Sequence, residues 1–190
     1  SALEALRTAH RWLGDIAPNT RSEASNLIHL GHLYMEMNDI AMSRDFFSQA
    51  RDLGRRMADP LVEATALNNL ANLYLNAQLW SLAREGFEEA LAIAQNAGVK
   101  QLEIDNLDGL GQVHVALGYF DKAIKIHEHV LHIAREIGDS EGEVDALLNL
   151  GRDFLAGAGV QQALEVLNQG LELIQSAEYQ RSKYEVHELL

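Results

Sequence analysis

Cysteine is absent from this chain of 190 residues. That excludes disulfides, Cys-ligated zinc, thiolate nucleophiles and Cys-held iron–sulfur clusters, and makes the reducing cytoplasm the expected location. Proline is almost absent too, with only Pro18 and Pro60 in a chain rich in Ala and Leu, which favours an all-helical fold. Basic residues are few: 15 Lys and Arg face 28 Asp and Glu, for a net charge of −13. Such a surface repels phosphate backbones and anionic membranes, so neither nucleic acid nor membrane is an expected partner. No apolar run approaches the ~20 residues of a membrane span. The N-terminal "SALEALRTAHRW" has neither the apolar core nor the cleavage site of a signal peptide. With 47% hydrophobic and 23% charged residues the chain has the composition of a folded protein.

What the chain does have is a period. "LIHLGHLY" (27–34), "LNNLANLY" (67–74), "LDGLGQVH" (107–114) and "LLNLGRDF" (147–154) stand 40 residues apart without a gap. Leu27, Leu67, Leu107 and Leu147 are followed by Leu30, Leu70, Leu110 and Leu150. A small residue comes next (Gly31, Ala71, Gly111, Gly151), then a ring (Tyr34, Tyr74, His114, Phe154). Positions i, i+3, i+4 and i+7 share one face of an α-helix. A second helix repeats the register, with Ser43, Ala83, Ala123 and Ala163 four residues before Phe47, Phe87, His127 and Leu167. Ile40, Trp80, Phe120 and Val160 stand between the two helices. Each unit therefore reads as a helical hairpin in which the ring of the first helix can meet that of the second. The punctuation agrees: Gly98 and Gly138 suit helix ends, Asp59-Pro60 suits a cap and first turn, and Thr20-x-x-Glu23 and Ser140-x-x-Glu143 read as capping boxes. The predicted helices span 22–36, 40–56, 60–76, 80–97, 100–116, 120–137, 140–156 and 160–176.

The pattern LxxLGxxY…A…F resembles the tetratricopeptide repeat. The longer unit, as in "AIKIHEHVLHIAREIGDSEGEVDALLNLG", is similar to the 40-residue subtype of Pins/LGN spindle adaptors and of bacterial multidomain regulators. The resemblance spans residues 22–176 in four copies (22–56, 60–97, 100–137, 140–176). It implies an all-α fold, a right-handed α-solenoid of antiparallel helical hairpins whose first helices line a concave groove for extended peptides or partner helices. Residues 2–17 read as the second helix of an earlier repeat, and 180–190 as the start of a further one, since Leu190 lies forty residues after Leu150. Stacked repeats need polar caps and neither end looks like one, so residues 1–190 read as one solenoid domain from a longer chain.

The stretch "LNNLANLYLN" (67–76) holds four asparagines, at a cost of roughly 2 kcal/mol in intrinsic helix stability against alanine. Asn68, Asn72 and Asn76 drift only about 40° per step around the helix and form one stripe, joined by Thr65. In the arrangement the resemblance implies, this stripe faces the groove, where carboxamides match the N–H and C=O of an extended peptide. Equivalent positions place His32, Met35 and Glu36 in the first repeat, Asp105, Asp108 and Gln112 in the third, and Asp145, Leu148 and Arg152 in the fourth. The expected groove is polar in the middle, acidic toward the third repeat and closed by an arginine, suited to a neutral or basic peptide. The bland reading, solvated polar residues on an exposed face, stands beside it. Asn69, off the stripe, is expected to bond a neighbouring helix or loop. The family's binders of acidic C-terminal tails use groove lysines; here Ile28, Asn68, Asp105 and Asp108 hold the stripe and no lysine does, which puts that ligand in doubt.

"HEHVLH" (127–132) lacks the HExxH spacing of a zinc site, because Leu131 stands where the second histidine belongs. His127 fits the ring slot better than a ligand role. With His114 it replaces the ring pairs Tyr34/Phe47 and Tyr74/Phe87, and two adjoining imidazoles predict a third repeat that loosens below pH ~6.5. Arg51, Arg55 and Arg56 read as a solvated face, and "AGAGV" (156–160) as a turn rather than a phosphate loop. No catalytic constellation, metal site or cofactor motif emerges. The expected function is a non-catalytic protein-interaction segment of a scaffold or regulator. The alternatives are a peptide-sensing input domain of a transcriptional or signalling regulator, an enzyme using the histidines, and self-association through exposed apolar surface.

Overall fold

The structure, a computed structural model, describes Glu4, Thr8 and residues 19–188, with side chains through Ser176. The helix expected at 2–17 therefore lies outside the described residues. Eight helices follow in order: α1 (Arg21–Glu36), α2 (Ile40–Met57), α3 (Pro60–Asn76), α4 (Trp80–Ala97), α5 (Lys100–Ala116), α6 (Phe120–Ile137), α7 (Ser140–Ala156) and α8 (Val160–Glu188). The first seven match the expected spans within a residue at each end. The eighth does not: it continues without a break to Glu188, past residue 176 where it was expected to end and into 180–190, expected as the start of a further repeat. The fold is an all-α repeat solenoid, and it divides after Val113, inside α5, into two compact units.

The forty-residue period is written into the turns as well as the helices. Within each repeat the carbonyl of the ring position closes the first helix: Tyr34, Tyr74, His114 and Phe154 accept from the N–H of Asp39, Leu79, Tyr119 and Gly159. This bond needs a left-handed residue one position earlier, and Asn38, Gln78, Gly118 and Ala158 all have positive φ. Between repeats the same device recurs at Ala58, Gly98 and Gly138, with φ of 51°, 69° and 71°. Helix starts are capped by side chains where the sequence supplies one. Thr20 accepts from the Glu23 N–H, while Glu23 reaches back to the N–H of Asn19. Asp59 caps α3 ahead of Pro60 and takes the Arg21 guanidinium at 2.5 Å. That ion pair and the cap's backbone N–H groups hold the Asp59 carboxyl below its usual value, against the opposing effect of burial. The start of α7 departs from expectation. Asp139, not Ser140, is the cap: its carboxylate accepts from the Gly142 N–H, Ser140 is already the first helical residue, and Glu143 takes Arg135 instead of closing a capping box.

In the first unit α1 packs on α2, α2 on α3, α3 on α4, and α1 touches α3. The ring pairing differs from the expected one. Tyr34 stacks on Phe46, with centroids 5.4 Å apart, rather than on Phe47. Phe47, fully buried, lies over Gly31 and reaches forward to Leu70, Leu73 and Tyr74 of the next repeat. Phe87 does the same, lying against Gly109, where a Cβ would overlap its ring. The slot thus serves the hairpin and the seam between repeats at once. A further seam device escaped the sequence reading. Arg55 donates to Glu63 at 2.6 Å and Gln95 to Glu103 at 3.1 Å, pairs that stand forty residues apart. Arg55 also reaches Glu89, so the basic cluster is partly an inter-helix tie rather than a solvated face.

In the second unit α6 packs on α7 and α7 on α8, and Arg135 bonds Glu143 at 2.7 Å, the same tie in a third copy. His127 fills the slot of Phe47 and Phe87, and its forward partner is Asp153, at the position of Leu33, Leu73 and Val113. Nδ1 of His127 stands 2.5 Å from Oδ2 of Asp153, and both residues are buried. His114 also turns its ring toward Tyr119, with centroids 6.1 Å apart, and the forward partner of His127 is a carboxylate rather than a ring.

Two tests follow from this packing. Gly98 has nothing within 4 Å of where a Cβ would stand, so Gly98→Ala isolates the conformational cost of positive φ. It should lower stability by about 1 kcal/mol, and Ala58→Gly should raise it by about 0.5 kcal/mol, in urea denaturation. At the polar seam, His127→Phe should cost about 3–5 kcal/mol by stranding Asp153, while His127→Phe/Asp153→Leu should recover wild-type stability or exceed it. Additive losses in the double variant would contradict this account.

Candidate functional site: the amide face of the first helices

The site residues of the first unit come from α1, α3 and the first four turns of α5. Asn68, Asn69, Asn72 and Thr65 are half-buried on α3, and Asn76 is exposed. They are joined to a residue the sequence reading overlooked. Asn106, wholly buried on α5, donates from Nδ2 to the Leu102 carbonyl of its own helix at 2.6 Å. Because that carbonyl can only accept, the amide orientation of Asn106 is settled and its Oδ1 must face α3. There it takes Nδ2 of Asn68 at 3.1 Å. Asn68 Oδ1 in turn takes Nδ2 of Asn72 at 3.0 Å. A backbone carbonyl thereby sets the orientation of three carboxamides in succession, each polarising the next. The relay ends on Asn72, leaving that residue's carbonyl oxygen and second N–H unspent by the chain of bonds.

This changes the expected stripe. Asn68 is engaged with the neighbouring repeat, and Asn72 presents the open end. Asn76 approaches only the Met35 sulfur, at 4.0 Å. Asn69 bonds the Thr65 carbonyl of its own helix at 2.8 Å, not a neighbouring helix or loop. The reason is common to both helices: an asparagine shielded from water and one turn beyond a carbonyl finds it nearer than any other acceptor. Asn106 was legible in principle, because its column alternates a buried asparagine with alanine: Asn26, Ala66, Asn106 and Ala146.

Around this amide core the first unit sets the other predicted residues. Met35 packs on the Phe47, Leu70 and Leu73 cluster, and Glu36 is exposed. His32 lies edge-on to the Phe47 ring, with centroids 5.2 Å apart at 76°. Burial lowers its pKa first, His29 adds to the effect and Glu36 opposes it. On α5, Asp105 is exposed and Asp108 half-buried, and Gln112 donates to Asp108 at 3.1 Å. In the second unit Asp145 and Arg152 are both exposed on α7, and Arg152 donates to Asn149 at 2.9 Å. The first unit thus combines a fixed amide acceptor, a second amide donor and carboxylates, a set suited to binding rather than to bond making. Among the described residues no three His, Asp or Glu side chains gather to hold a metal ion. No helix among them is long and apolar enough to cross a membrane.

Repeated helical hairpins with matching turns and seams define the class, a helical-repeat protein. Comparison with family models names it. Tetratricopeptide repeat models match residues 24–53, 62–136 and 101–176, and the chain belongs to the tetratricopeptide repeat family. A search of curated proteins found no matching relative. Solved structures share the fold. BtubC from P. vanneervenii is 19% identical with a TM-score of 0.81, over 94% of this chain and 75% of that one. Repeats of a Podospora anserina protein described as a kinesin light chain are 19% identical with a TM-score of 0.75, covering 95% and 87%. A Rap protein in complex with Competence and Sporulation Factor is 13% identical with a TM-score of 0.68, covering 94% of this chain and 54% of that one.

The lowered pKa of His32 fixes a sign. The folded state prefers the neutral ring, so its contribution is complete above the unfolded value near 6.5 and is lost as pH falls through the folded value. His32→Gln should therefore lose less stability than wild type between pH 7.5 and 5 in thermal melts. Equal losses would exclude His32 as a source of acid sensitivity.

Proposed function

We propose that the chain is a non-catalytic protein-interaction module, working in the cytoplasm, that holds an extended peptide against the amide face of its first unit. The observation carrying this reading is the oriented relay ending on Asn72. A helix accepts the poor propensity of four asparagines, and the relay turns two of them and Asn106 into a fixed acceptor beside free amide hydrogen. An extended main chain offers the complementary N–H and C=O at one residue. Asp105 and Asp108 next to it favour a ligand with neutral or basic side chains, and the net charge of −13 steers in the same direction. His32, Met35, Glu36, Thr65, Asn76 and Gln112 extend the face.

A narrower reading, that the module senses a signalling peptide as the input of a regulator, is favoured by the likeness to a Rap protein solved with Competence and Sporulation Factor. Both readings predict the same first contact. Peptides selected from a random array on the wild-type chain should bind Asn72→Ala about fivefold or more weakly, one lost hydrogen bond being worth about 1 kcal/mol. Asn106→Ala, which leaves Asn72 in place but frees its orientation, should weaken binding by a smaller factor. Undiminished binding by a folded Asn72→Ala variant would remove the amide face from consideration.

A further inference from the structure

We infer that the gap between the two hairpin turns of the second unit is a binding site, independent of the amide face, for an aromatic monocarboxylate. One turn joins α5 to α6 and the other joins α7 to α8, and both lie within the second unit. A cavity of about 350 Å³ opens between them, lined by Gly118, Tyr119, Phe120, Asp121, Lys122 and Gly157. No residue of α8 lines it, so it belongs to the space between consecutive turns and not to the face of the last helix. The sequence accounts for the space. In the column of Gly157 the other repeats carry Met37, Ala77 and Leu117. Gly157 has φ of −84°, which any residue adopts, and a Cβ there would stand 3.5 Å from the Phe120 Cβ in ordinary contact. A missing side chain, not a demand of the turn, keeps the gap open.

The lining sets the chemistry of the occupant. Tyr119 is 52% exposed, yet its ring is held between two neighbours, the His114 ring at 6.1 Å and the Lys122 ammonium at 5.1 Å. The other repeats place Asp39, Leu79 and Gly159 in the column of Tyr119, and Met42, Leu82 and Gln162 in that of Lys122. The ring with its cation is therefore particular to this turn, and an ordered, exposed aromatic face favours another ring. Charge narrows the choice further. Between His114 and His127 two lysines, Lys122 and Lys125, stand against the single acid Asp121, and residues 154–164 carry no charge. The local balance is thus positive in a chain of net charge −13. Lys122 can leave the Tyr119 ring for a carboxylate, which is the stronger partner, while Asp121 on the lining opposes a second negative group. The volume is at the small end for ligand sites and has room for one ring and its acid group. Such a group is carried by a free aromatic acid or by the C-terminal aromatic residue of another chain.

The test titrates phenylacetate, N-acetylphenylalanine and N-acetylphenylalaninamide into the isotope-labelled full chain and follows the amide NMR shifts of Gly118 and Tyr119. Saturable shifts are expected for both acids, with a Kd of about 1 mM, as small ligands of this size allow. The uncharged amide should bind about fivefold or more weakly. Tighter binding of phenylacetate assigns the site to free acids, and tighter binding of N-acetylphenylalanine assigns it to chain ends. Gly157→Leu, which supplies the side chain of the preceding repeat, should weaken both acids about tenfold or more, and Gly157→Ala should weaken them less, with thermal melts reporting that each variant folds. Lys122→Gln should reduce the acids to the affinity of the amide. Asn72→Ala should leave these titrations unchanged, which separates them from the peptide site. Absence of saturable shifts at Gly118 and Tyr119, equal binding of acid and amide, or undiminished binding by folded Gly157→Leu would overturn the inference.

Discussion

The structure depends on one recurring contact, the forward reach of a single slot on each second helix into the first helix of the next repeat. Phe47 meets Leu70 and Leu73, Phe87 meets Gly109, and His127 meets Asp153. A helical hairpin cannot bury its own apolar face alone, so the stack holds only as well as its seams do. Each seam is reinforced at its edge by a second-helix donor reaching a first-helix acid at Arg55–Glu63, Gln95–Glu103 and Arg135–Glu143. These ties are largely exposed and contribute little energy singly, but their repetition in register keeps one hairpin from sliding on another.

Two seams carry polar groups, and they differ in consequence. At His127–Asp153 an imidazole and a carboxylate occupy the place of a phenylalanine and a leucine, and both residues are buried. Such a pair specifies its own register, because either group facing an apolar neighbour would be stranded. At Asn68–Asn106 the polar contact runs from the buried seam outward to a half-buried residue. Order imposed by the Leu102 carbonyl is thus transmitted to Asn72, where another molecule can meet it. Preorganisation of this kind lowers the entropy lost on binding, since the acceptor is already aimed.

The resemblance to tetratricopeptide repeats was legible because it rests on local rules. Leucine spacing, the small residue, Asp59-Pro60 and the glycines at 98 and 138 each act within one or two helical turns. Contacts across repeats were less legible. Tyr34 was matched with Phe47 and proved to stack on Phe46, since facing helices are offset by a fraction of a turn that periodicity alone cannot fix. Ser140 looked like a cap and Asp139 is one. His127 stood in a column of rings and a leucine, yet its partner is the Asp153 carboxylate. Asp153 could have been noticed as an acid in a column of leucines and valine, and Asn106 as one of two amides, with Asn26, in a column otherwise of alanine.

Taken alone, the amino-acid order determined the helical hairpin, its forty-residue period and the helix ends, because hydrogen bonds and apolar periodicity within a helix involve residues only three or four apart. It also determined that asparagines would line α3. Only the tertiary structure decided which of those amides are spent on the neighbouring repeat and that His127 meets a carboxylate. Those outcomes depend on the approach of residues 26 to 38 positions apart, where a shift of one side chain changes the partner.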